Sequence, residues 1–156
     1  MRSFLLGFML ACPSPTAKAN SSFHARDIDG KIVKLEEHHD KIVILNFWAT
    51  WCAPCKIEMP QLQKLKDKYG DKLEIVSISV DEARDKSKIK PLIKRGKYDF
   101  IVIHDVTGTL MSFYDPSMSL PYNVIMGYGG EIVWQGAGYS PGKEKVFEKI
   151  IDSIIK

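Results

Sequence analysis

Cysteine is scarce in this chain: there are three in 156 residues, Cys12, Cys52 and Cys55. That is too few for a disulfide-stapled scaffold, and too few for a zinc site built from two Cys-x-x-Cys pairs. A membrane span is missing at the amino end, because the apolar run from Phe4 to Ala11 falls far below the roughly 20 residues needed to cross a bilayer. Charge of one sign is missing as well: 22 Lys and Arg face 19 Asp and Glu, a net +3. No basic stripe interleaved with aromatics stands out, which argues against nucleic acid as a partner. Repeats, low-complexity linkers and a second apolar core are absent, so one domain is expected. What is present, 45% hydrophobic and 26% charged residues, suits a folded, soluble protein long enough to bury a core without disulfides.

The first residues read as a targeting segment. Arg2, the short apolar run and the small-x-small triplet Ala17-Lys18-Ala19 describe a secretory signal peptide over residues 1–19, leaving a domain over 20–156. Cleavage would remove Arg2 and Lys18 and no acid, taking the net charge from +3 to +1. A second reading takes Met9-Leu10-Ala11-Cys12 as a weak lipoprotein box, with a lipid anchor through Cys12; a third leaves the segment in place. Each leaves Cys52 and Cys55 as the only cysteines of the folded domain.

Phe23 to Leu35 carries the turn signal Asp29-Gly30 between two extended runs, a hairpin. Lys41 to Trp48 is almost continuously apolar and rich in β-branched residues, which suits a strand buried on both faces, with Asn46 its polar interruption. Ala53 to Tyr69 reads as a helix with Ile57, Leu62 and Leu65 on its apolar stripe, Pro60 as a kink and Gly70 as its end. Leu73 to Val80 alternates like a strand. Glu82 to Arg95 reads as a charged helix that turns Ile89, Leu92 and Ile93 inward, with Pro91 weakening its second half. Phe100 to Ile103 is a short strand and Gly108 to Tyr114 a short helix. Tyr122 to Met126 and Glu131 to Trp134 flank a glycine-rich turn as a hairpin. Gly142 to the end is a helix with Val146, Phe147, Ile150, Ile151 and Ile154 on one face. Strands alternating with helices, closed by a hairpin, give an α/β domain with a mixed sheet.

The chemistry concentrates at Trp51-Cys52-Ala53-Pro54-Cys55. The two cysteines follow a buried strand and open a helix, at a spacing that lets the sulfurs meet across the first turn. Free N–H groups and positive potential at a helix N-terminus stabilise a thiolate, here at Cys52. Pro54 suits an early helical position, where its missing N–H costs nothing. This context favours a redox pair over a structural metal site. A static disulfide is the alternative, although so short a loop constrains the unfolded chain little.

The stretch from Asn46 through Trp48, Trp51, Cys52, Cys55 and Glu58 to Pro60 resembles the signature of the TlpA/ResA-like thioredoxin-fold proteins, exported bacterial thiol–disulfide oxidoreductases. The resemblance runs from about Phe23 to the C-terminus. It implies a thioredoxin-like fold: a central mixed β-sheet flanked by helices, with an N-terminal β-hairpin and an extra strand and helix near residues 73–103. It implies that Cys52 is the exposed attacking cysteine and Cys55 the buried resolving one. By the same resemblance Pro121 is a cis-proline that lies against the disulfide and helps to dock the substrate backbone. Thioredoxin carries a buried Asp where Asn46 stands, and in the resembling family Glu58 is the substitute proton acceptor. Trp51, Pro54 and Leu120 are the expected substrate-binding residues, with Trp51 covering the site and Trp48 packing beneath it. Two positions depart from the family pattern: Leu120 before the late proline, and Met126 where an acidic residue is frequent.

The resemblance implies no cofactor. Its partners would be protein disulfide substrates and a membrane thiol–disulfide electron donor, with cytochrome c maturation as one family role and a monomer as the expected state. It also implies export in a bacterium, to the periplasm or tethered to a membrane as a lipoprotein. Two alternatives stay open: a peroxiredoxin-like thiol peroxidase, and a copper- or other metal-handling protein of the same fold that would pair the cysteines with a histidine. His24, His38, His39 and His104 are scattered, and the His38-His39 pair reads as solvated.

Overall fold

A computed structural model describes residues 22–156; the expected signal segment, its cleavage site after Ala19 and the anchor at Cys12 lie outside the described residues. The chain begins with a short antiparallel hairpin, β1 (His24–Arg26) and β2 (Ile32–Lys34), in which Ala25 pairs with Val33. Asp27 shapes its turn: the carboxylate accepts from the backbone N–H of Asp29 and of Lys31. The main sheet holds β3 (Ile42–Trp48), β4 (Leu73–Ser79), β5 (Ile101–His104), β6 (Tyr122–Met126) and β7 (Ile132–Ala137). Its order is β5-β4-β3-β6-β7, with β3 parallel to β4 and antiparallel to β6. Among the described residues the α-helices are α1 (Ala53–Tyr69), α2 (Lys86–Gly96), α3 (Thr109–Tyr114) and α4 (Lys143–Ile155).

The period of two along β3 sorts the core. Val43, Leu45 and Phe47 point to one face, where they pack with Val33 and Leu35 from the hairpin region and Met111 and Tyr114 of α3. Ile42 and Ile44 point to the other, against Leu62 and Leu65 of α1 and Phe147 and Ile151 of α4. Every residue of β3 is buried, as its unbroken apolar run requires. Asn46 shares its parity with Ile44 and so faces α1.

Several expectations change. The buried stripe of α1 is Cys55, Glu58, Met59, Leu62 and Leu65, whereas Ile57 is 58% exposed. Cys55 and Leu62 are one i,i+7 pair, and Ile57 lies off that line, so a carboxylate takes the inward position instead of an isoleucine. On α4, Phe147 and Ile151 are buried but Val146 is exposed. All seven residues of β4 are buried, with β3 and β5 paired to its two edges. Two of its polar side chains find internal partners, Glu74 with Lys66 Nζ at 2.7 Å and Ser79 Oγ with Asp81 Oδ2 at 2.7 Å. Pro60 and Pro91 both sit inside continuous helices. Each is exposed, and so are Lys56 and Ser87, the residues whose carbonyls lose an N–H donor. The end of α1 does follow the sequence, with Gly70 at φ 54° closing it.

Candidate active site

The site forms where β3 ends and α1 begins. Cys52 is the N-cap residue of α1, in extended conformation (φ −79°, ψ 105°), and its sulfur accepts from the Cys55 N–H at 3.3 Å. Cys52 and Cys55 are joined as a disulfide, with Cα atoms 5.4 Å apart. Pro54 lies in the first helical turn, where no intrahelical N–H is needed. Cys55 is fully buried and Cys52 retains 4% exposure. The expected exposed cysteine is thus nearly covered in the disulfide form, packed among Trp48, Ala49 and Met59. Trp48 is buried beneath the site as expected. Trp51, the residue before Cys52, is 67% exposed.

The loop entering the helix is held from the segment that follows β4. The buried Asp81 carboxylate accepts from the Thr50 N–H at 2.9 and 3.1 Å and from the Thr50 hydroxyl at 2.6 Å. This clamp two residues before Cys52 had no periodic signal in the sequence. Leu120–Pro121 is a cis peptide bond. Leu120 packs on the cluster that contains both cysteines, and the Pro121 carbonyl accepts from the Gly138 N–H at 2.7 Å.

Behind the disulfide, Glu58 is 1% exposed, one helical turn after Cys55 on the buried stripe. Asn46 donates to Glu58 Oε2 at 3.0 Å, and Asn123 donates to Glu58 Oε1 at 2.8 Å. Asn46 also donates to Asn123 Oδ1 at 2.9 Å. The strands explain this meeting: Asn46 and Asn123 are register partners across β3 and β6, so both face α1. Asn123 was missed from sequence, although an Asn within the apolar run Tyr122–Met126 was the signal available. Burial pushes the Glu58 carboxyl up to about 7, against the opposing pull of the Asn123 hydrogen bond, the Lys143 charge and the Asn46 hydrogen bond. Lys143, at the start of α4, is itself pushed down by desolvation and held up by Glu58. Its ammonium donates to the Ala137 carbonyl at 2.9 Å and lies 5.2 Å from the Trp134 ring centroid. The arrangement places a proton-accepting group of near-neutral affinity within the same buried stripe as Cys55. Among the described residues, no group of three or more His, Cys, Asp or Glu side chains is gathered to hold a metal ion.

Residues 15–135 match the model of the AhpC/TSA family. The thiol-disulfide oxidoreductase ResA of Bacillus thuringiensis is 32% identical over 122 residues, covering 78% of this chain and 69% of that protein. Among solved structures, StoA from Bacillus subtilis shares 25% identity at a TM-score of 0.67, covering 85% of this chain and 97% of that one. The exposed lipoprotein thioredoxin Etrx1 of Streptococcus pneumoniae has the same fold, with a TM-score of 0.71 at 22% identity over 85% of this chain and 99% of that one. The disulfide at the strand-to-helix junction thus sits in a thioredoxin-like fold among relatives of one chemistry, and the chain belongs to the AhpC/TSA family as a ResA-like thiol–disulfide oxidoreductase.

Proposed function

We propose that this protein is an exported thiol–disulfide reductase that transfers two electrons from the Cys52–Cys55 dithiol to protein disulfides. The carrying observation is the joined pair at the N-terminus of α1 with buried Glu58 one turn behind it. The Cys52 thiolate attacks one sulfur of the substrate disulfide. That S–S bond breaks, a mixed disulfide forms at Cys52, and the substrate thiolate leaves and takes a proton from water. Cys55 then gives its proton to the Glu58 carboxylate and attacks Cys52 Sγ. The Cys52–Cys55 bond forms, and the second substrate thiolate leaves. Leu120, Trp51 and Pro54 flank the disulfide as the surface that meets substrate, and Pro121 lies beside them to dock its backbone.

Export rests on residues 1–19 as a signal peptide ahead of a domain over 20–156, with lipidation at Cys12 as its variant. A membrane thiol–disulfide donor restores the dithiol, and the vicinal cysteines of an apocytochrome c are among the fitting substrates. The monomer is the working unit in this reading. Cys55→Ser tests the mechanism: reduced variant mixed with a disulfide-bonded protein is expected to accumulate a mixed disulfide mapped to Cys52. Absence of a mixed disulfide at Cys52, or turnover as fast as wild type, contradicts it.

A further inference from the structure

Trp51 and Lys56, the chain neighbours of Cys52 and Cys55, line a groove of about 510 Å³ that reaches to Lys88, Arg95 and Tyr98 of the α2 region. Its walls are aromatic: Trp51 is largely exposed, and Tyr98 stacks on Phe100 with centroids 5.3 Å apart. Its charge is positive and unevenly compensated. Asp85 lines the groove too, but its carboxylate is taken by Lys88 at 2.6 Å. The side chains of Lys56 and Arg95, both exposed, have no ion pair or hydrogen bond with any described residue. Two uncompensated cations thus face a groove whose rim is the residue next to Cys52.

We propose that the groove receives the segment flanking the substrate's reactive cysteine and selects segments that carry Asp or Glu there. This deepens the reductase reading and rests on it. Trp51 and Tyr98 supply apolar walls for the segment, while Lys56 and Arg95 pair with its carboxylates. Such rim charges act mainly on capture of the partner and weaken with salt. Exposed pairs are individually modest, so two together give a discrimination of roughly five- to tenfold.

The test uses the reduced full-length protein and two disulfide-bonded peptides of one sequence, differing only in Glu-Glu or Gln-Gln beside the reactive cysteine. The readout is the ratio of their kcat/KM values, which cancels any general loss of activity. The wild type is expected to favour the acidic peptide roughly five- to tenfold at low salt, with the ratio falling towards one at about 0.5 M NaCl. In Lys56→Gln/Arg95→Gln the ratio is expected to fall to near one at low salt. A wild-type ratio near one, or a ratio retained in the double variant, overturns the groove assignment while leaving the reductase intact. Failure to reduce either peptide overturns the reductase reading and the assignment with it.

Discussion

An ionised carboxylate in a protein interior costs several kcal/mol unless donors surround it. Glu58 has donors from Asn46 and Asn123, yet burial still outweighs them and holds its carboxyl near 7. The sign of the consequence is the reverse of a surface carboxylate. Below about pH 4.5 the carboxyl is protonated whether the chain is folded or not, so the buried acid carries no ionisation cost. As the pH rises towards 7 the unfolded chain ionises while the folded one resists, and stability is lost by an amount on the order of 3 kcal/mol. Glu58→Gln removes that dependence. The oxidised variant is expected to match or fall below wild type at pH 4 and to exceed it at pH 8, in denaturant titrations at both values. A constant difference across that range contradicts the placement of an ionisable group there. The same substitution is expected to slow disulfide reduction near neutral pH while lowering the apparent thiol pKa values, because the acceptor for the Cys55 proton and a neighbouring negative charge are lost together. The titration belongs to the coupled cluster of Cys52, Cys55 and Glu58.

At the scale of elements, α1 and α4 hold the site by packing on the same face of β3. Phe147 is 1% exposed and meets Trp134 edge-on at 5.2 Å, within the cluster that contains Leu62 and Leu65. Phe147→Ala is expected to cost about 3–5 kcal/mol in urea unfolding. Val146→Ala, one residue away and exposed, is expected to cost under about 0.5 kcal/mol. Comparable losses at both positions contradict the observed orientation of α4. These neighbours also show how far the sequence could be read. Helix α1 runs over the residues its pattern assigned, Ala53–Tyr69, and β3 follows its apolar run, because local period and capping determine both. Which apolar residues face inward was less legible, since Ile57 and Val146 continue an apolar pattern but lie off the packed line. The Glu58 role was suggested by resemblance alone. The amide cluster around it needs the register of β3 against β6, a pairing 77 residues apart that no local window contains. The Asp81 clamp on Thr50 is hidden for the same reason, with 31 residues between its members.

Across the whole molecule, several parts meet near one disulfide: the helix N-terminus at Cys52, Glu58 one turn after Cys55, Leu120 packed on the cysteine cluster and a groove lined by Trp51 and Lys56. The balance of these parts sets the direction of electron flow. A strong oxidant is one whose reduced form is specially stabilised. Here Ala53 and Pro54 offer neither histidine nor charge between the cysteines, and the nearest buried ionisable side chain on α1 is acidic. The Cys52 thiolate gains the Cys55 N–H and the helix terminus but no cation from within the motif. On the reductase reading the reduced form has no special support from within the motif, and the pair is expected to give up electrons readily. Equilibration of the purified protein with reduced and oxidised glutathione at pH 7, read by the fraction of free thiol at Cys52 and Cys55, measures this directly. A reduction potential near that of thioredoxin, about −270 mV, is the expected result; a value near about −120 mV, in the range of DsbA, contradicts the reductase.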